Sequence, residues 1–147
     1  MLLTGKTVLV VEPEPFAAYA LERRLRDLDA RDVIVLRDAD DARLRFARDG
    51  EASARKGSGG TGRSRAPGLA IIDFDECGGA AERLAAELRR RHVKVVRTTR
   101  GPAEPAGRRR HVRERKPGSR ASLPTVRKPY DMIEIERAIG LHYGVMI

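Results

Sequence analysis

The chain has 147 residues, 41% of them hydrophobic but only 4% aromatic, with no tryptophan and a formal net charge of +9. That length suits one domain whose core is built from Leu, Ile, Val and Ala rather than from aromatic rings. The composition excludes a transmembrane helix, since no apolar run approaches roughly 18 residues, and the N-terminus MLLTGKTVLVVEPEP lacks the basic leader and cleavage site of a signal peptide.

The single cysteine, Cys77, cannot form an internal disulfide, which together with the missing leader predicts a cytoplasmic protein. The positive charge is localised. Residues 50–66 (GEASARKGSGGTGRSRA) hold four basic and one acidic side chain, and residues 101–122 hold seven basic and two acidic. The other 108 residues carry 19 basic and 18 acidic side chains and are close to neutral. The excess thus belongs to two Gly/Pro/Arg-rich insertions in a single domain of residues 1–147, not to a basic face of the fold.

In chain order, Thr7 to Glu12 (TVLVVE) is a β-branched apolar run that predicts a buried strand, closed by Pro13 and Pro15, which cannot extend a sheet ladder. A helix is expected from Pro15, with Ala17, Ala20, Leu21, Leu25 and Leu28 on its inner side. Val33 to Leu36 predicts a short second strand. Asp38 or Asp40 would cap a second helix through about Arg48, with Ala42, Phe46 and Ala47 inward. Residues 50–66 read as a low-complexity loop.

Leu69 to Ile72, within LAIIDFDECGG, is an unbroken apolar run that runs straight into Asp73. Such a run suits a strand buried on both faces of a parallel sheet. Asp73 then stands at the carboxyl end of a central strand, where open α/β sheets place their chemistry. A third helix is expected over about Ala80 to Arg91, a fourth strand over Val93 to Thr98, and a short or absent helix within residues 101–122. Thr125 to Arg127 predicts a fifth strand. A last helix follows Tyr130, with Asp131 and Glu134 spaced as a capping box and Gly140 fraying its end.

Five strands alternating with helices predict an α/β fold: a flavodoxin-like five-stranded parallel sheet, order 2-1-3-4-5, with helices on both faces and right-handed crossovers. About half a dozen residues follow the last helix, which leaves no expectation of a further output domain.

Four segments, VLVVE, LAIID, VVRTT and KPYD, each fall at the carboxyl end of an expected strand. In that order the chain resembles the receiver domain of two-component response regulators, over its whole length apart from the two insertions. The resemblance implies a single-domain response regulator that is not an enzyme beyond Mg-assisted self-phosphorylation and dephosphorylation. Asp73 would be the phospho-acceptor, Thr99 the hydroxyl that engages the phosphoryl group and Lys128 the cation. It further implies a Mg²⁺ site from Glu12, Asp73 and the backbone carbonyl of Asp75, with Glu14 as an additional candidate. Its partners would be a histidine kinase or phosphotransfer protein and an output protein reached by protein contact.

Two departures stand out. Pro13 occupies the position of the second acid that the family carries after strand one, which weakens the expected Mg²⁺ site. The fourth crossover is a Pro/Gly/Arg-rich segment, and Thr125 and Val126 stand where an aromatic is common. These departures motivate an alternative, a phosphorylation-independent pseudo-receiver acting as an interaction module.

A third reading takes RRRHVRERK (108–116) as a binder of nucleic acid or anionic lipid, although it has neither interleaved aromatics nor a groove-reading helix. GSGGTGRS (57–64) approaches a phosphate-binding loop, but Arg63 replaces its lysine and no flanking strand and helix are expected. His92, His111 and His142 have no metal-ligand spacing with one another or with Cys77.

Overall fold

The computed structural model describes residues 2–55, 66–100 and 123–145, over 49–55 for the backbone alone. The β-branched run near the N-terminus forms β1 (Thr7–Val11) and the run before Asp73 forms β3 (Leu69–Asp73), every residue of both strands being buried. β2 (Asp32–Leu36), β4 (Lys94–Thr99) and β5 (Thr125–Arg127) complete a five-stranded sheet in the order β2-β1-β3-β4-β5. All four pairings are parallel, with Val10 beside Ile71 and Ile71 beside Val96 in the central register. This is the expected strand order.

Alternation along each strand divides the core between two faces. Leu9, Val11, Ala70, Ile72 and Val95 face one layer, formed by α2 (Ala39–Arg55) and α3 (Gly78–Arg90) through Ala42, Phe46, Leu84 and Leu88. Val8, Val10, Leu69, Ile71, Val96 and Val126 face the other. There α1 (Pro15–Asp27) and α4 (Met132–Tyr143) contribute Leu21, Leu25, Ile135 and Ile139. Fully burying a Leu or Ile stabilises by about 1.5–3 kcal/mol, so this double-sided packing dominates the fold's stability. Among the described residues, no helix is long and apolar enough to cross a membrane.

Several boundaries differ from the sequence reading. α2 continues past Arg48 to Arg55, into the segment read as a loop from Gly50. One glycine costs a helix only about 1 kcal/mol, and the following Glu, Ala and Arg residues favour continuing it. Ala47 is exposed rather than inward, because the buried stripe of Ala39, Ala42 and Phe46 turns it off the face. In α1, Ala18 is buried beside Leu21 and Leu25.

Gly140 does not fray α4. It is buried within the helix, which ends at Tyr143 on Gly144 in the left-handed region (φ 65°). His142 Nε2 lies 2.8 Å from the Val95 carbonyl and extends the docking of this last turn. The expected fourth crossover (101–122) and the segment 56–65 lie outside the described residues, as do the phosphate-loop-like stretch, His111 and the basic run at 108–116.

The start of α4 provides a stability test. Asp131 Oδ1 accepts a hydrogen bond from the Ile133 N–H at 2.8 Å, capping the helix. Asp131→Ala should cost about 1 kcal/mol and lower the thermal midpoint by roughly 2–4 °C. An unchanged midpoint would contradict that cap's contribution.

Candidate functional site

The carboxyl ends of the parallel strands bring together side chains that are far apart in sequence. Asp73 ends β3 and is fully buried, at 0% exposure. Its Oδ1 accepts hydrogen bonds from the backbone N–H groups of Asp75 (2.8 Å) and Glu76 (2.9 Å), which fold the following turn back over the carboxylate. Its Oδ2 is paired with the Lys128 ammonium. Gly78, with φ of +48°, lets that turn enter α3.

Glu12 follows β1 directly and is equally buried, at 1% exposure. Its Oε1 accepts from Lys128 Nζ (2.8 Å) and from the Glu14 N–H (3.0 Å), and its Oε2 accepts from the Tyr130 hydroxyl. Lys128 therefore bridges two buried carboxylates on adjacent strands. The turn that carries it is tied to β4 by a hydrogen bond from the Lys128 N–H to the Thr99 carbonyl (2.9 Å), and the Lys128–Pro129 peptide is cis. Buried charges of this kind persist only when paired and hydrogen-bonded.

A second layer lies toward solvent. Glu14 is the N-cap residue of α1 and pairs with Arg100 at 2.8 Å. The Asp75 carboxylate accepts from Thr99 Oγ1 (2.7 Å) and from the Arg100 N–H. The Arg100 guanidinium also reaches within 3.9 Å of Glu76. One arginine thus spans the loops after β1 and β3 at the mouth of the pocket.

The electrostatics follow from these partners. Burial alone would push the Lys128 ammonium down, but its hydrogen bonds to Asp73 and Glu12 outweigh burial and leave it above the ordinary lysine value. Burial, and then the bond to Glu12, raise the Tyr130 phenol well above its ordinary value, with Thr98 opposing. The Arg100 N–H and the Thr99 hydroxyl hold the Asp75 carboxyl below the usual range. Burial raises the Cys77 thiol, so the half-buried sulfur is not an activated thiolate.

Of the residues that the resemblance named, Glu12, Asp73 and Lys128 lie bonded together, and the Thr99 hydroxyl bonds the Asp75 carboxylate. Sequence reasoning missed Tyr130, Thr98 and Arg100. Tyr130 lies inside the KPYD segment and could have been found there, since a phenol next to a buried acid needs a partner. Arg100 carried no signal before the loops were placed.

The donors do not form a ready magnesium cage. Mg²⁺ requires near-octahedral oxygen ligation, yet all four carboxylate oxygens of Glu12 and Asp73 are bonded to internal donors. Pro13 offers no side-chain oxygen. Among the described residues, no group of three or more His, Cys, Asp or Glu side chains is placed to hold a metal ion.

Lys128→Gln leaves Glu12 and Asp73 buried without their cation and should cost about 3–5 kcal/mol, read by urea unfolding. A loss below about 1 kcal/mol, as for an exposed pair, would contradict that burial. The raised Lys128 and Tyr130 values set the alkaline behaviour. Their contribution is fully present below the unfolded values of about 10 and is lost as pH rises above them. Stability should therefore fall from about pH 10 upward, less steeply in Tyr130→Phe; the same slope in both proteins would contradict the tyrosine's share.

Comparison with known proteins bears on the fold. No protein-family model matches the chain, and no curated protein matches its sequence. Solved structures do match. The chain is similar to the PhyR stress response regulator (TM-score 0.60, 22% identity), covering 96% of this chain and 46% of that one. The chain thus spans about half the length of that regulator. It is similar to the receiver domain of Erythrobacter litoralis PhyR (TM-score 0.56, 19% identity), covering 96% and 92% of the two chains. It also matches the receiver domain of the Arabidopsis thaliana histidine kinase CKI1, complexed with Mg²⁺ and BeF₃⁻ (TM-score 0.53, 16% identity; 69% and 70% covered). With this strand order and these structural matches, the chain has the fold of a response-regulator receiver domain.

Proposed function

We propose that this chain is a receiver-type signalling module of the cytoplasm that accepts a phosphoryl group on Asp73 and passes its state on by protein contact. The donor class is the phosphohistidine of a histidine kinase or phosphotransfer protein. The observation that carries this reading is the pairing of Asp73, at the end of the central strand, with the Lys128 ammonium on a receiver fold.

The chemistry needs a positioned carboxylate nucleophile and neutralisation of the transferring group. Asp73 Oδ1 is held by two backbone N–H groups, which fixes the carboxylate and leaves Oδ2 as the attacking oxygen. The new O–P bond forms at Oδ2 as the N–P bond breaks. The electron pair returns to the donor imidazole, which takes a proton from solvent. Lys128 would shift from Oδ2 to a phosphoryl oxygen while keeping its hold on Glu12. Thr99, whose hydroxyl is bonded to Asp75 in this state, would leave that carboxylate to engage the phosphoryl group. No step is routed through a metal.

A second reading has an observation of its own. Asp73 is fully buried, every oxygen of the Glu12–Asp73 pair has an internal donor, and Pro13 stands in the turn after β1. A pocket satisfied in this way favours a phosphorylation-independent interaction module on the same fold. Incubation with phosphoramidate, followed by intact mass measurement, separates the two. The acceptor reading expects one added phosphoryl group in wild type and none in Asp73→Asn. No gain in wild type, or an equal gain in the variant, would overturn it and leave the interaction module.

A further inference from the structure

The ion pair at the strand ends raises the question of what neutralises this pocket. Glu12 and Asp73 sit on adjacent strands, are essentially inaccessible to water and are both within bonding reach of one ammonium. The Lys128 side chain is itself only 5% exposed. Two carboxylates desolvated this close together repel unless one is protonated or a cation lies between them, and here an ammonium does.

The remaining oxygen positions are taken by protein donors. Asp75 and Glu76 give backbone N–H groups to Asp73, and Glu14 N–H and the Tyr130 hydroxyl go to Glu12. The acids further out are engaged elsewhere, Glu14 with Arg100 and Asp75 with Thr99 and the Arg100 N–H, and they lie where solvent screens them. A divalent cation entering here would have to displace Lys128 and break bonds to both carboxylates.

We propose that Lys128, anchored on Glu12, is the resident counter-ion of this pocket in place of a divalent cation, so that the pocket keeps its structure and works without magnesium. The inference rests on reading the Asp73 pocket as the functional site, but its test measures metal binding directly. Lys128 reaches Glu12 and Asp73 from the turn after β5 and so closes the ends of β1 and β3 with one side chain. Tyr130, two residues on, holds the far oxygen of Glu12 and keeps that carboxylate turned toward the lysine.

The test is a MgCl₂ titration of the full chain, read by calorimetry and by the thermal midpoint. Wild type should give no saturable heat and no upward shift at millimolar magnesium. Lys128→Gln should have a lower midpoint that magnesium raises by several degrees, because the divalent ion then replaces the missing charge. Adding Asp73→Asn to that variant should abolish the response. Saturable binding by wild type at low-millimolar magnesium or tighter, lost in Asp73→Asn, would overturn the proposal even if Lys128→Gln cannot be folded. Where phosphoramidate labels Asp73, labelling should proceed equally in EDTA and in magnesium, and its loss in EDTA would also overturn it. If no labelling occurs under either condition, the acceptor reading falls while the titration still decides the counter-ion.

Discussion

Two carboxylates end neighbouring strands out of reach of water, and a single ammonium lies between them. Around this contact the rest of the molecule is arranged. Glu12 and Asp73 both bond to Lys128, and Lys128 can reach them only because β5 pairs in parallel with β4 and ends at the same edge of the sheet. The local sequence meets that requirement at each strand end. β3 runs apolar up to Asp73, β1 runs apolar up to Glu12, and the Lys-Pro turn follows β5 directly. The double-sided core provides the rigidity, since residues facing both helical layers fix where each strand stops.

The inner pair and the outer shell do different work. Inside, Lys128, Tyr130 and backbone N–H groups satisfy the buried acids, and a low local dielectric makes each of those bonds stronger and each vacancy more costly. Outside, Arg100 joins Glu14, Asp75 and Glu76 across two loops in contact with solvent, where ion pairs are individually weak. The inner layer therefore sets the pocket's charge and shape, and the outer layer can rearrange at small cost.

Much of this was legible in the residues because it is local. The apolar runs of β1 and β3 reveal themselves by composition, the last helix by its Asp131 cap, and the strand order by regular alternation of strands with helices. What escaped depends on tertiary placement. Gly140 stayed helical because His142 and Tyr143 dock beyond it, whereas α2 continued through Gly50 because one glycine costs a helix little. Arg100 takes its role from a partner 86 residues away in sequence, which no local pattern encodes. Asp73 was legible from the end of its apolar strand alone, whereas Glu12 and Lys128 came from the resemblance carried by VLVVE and KPYD.

Lys128 and Asp73 form one buried charge unit. A double-mutant cycle of Lys128→Gln and Asp73→Asn, read by urea unfolding, tests it most directly. The account predicts a coupling of about 1–3 kcal/mol, with the double variant more stable than the sum of the single losses implies. Additive losses, equal within about 0.5 kcal/mol, would contradict it.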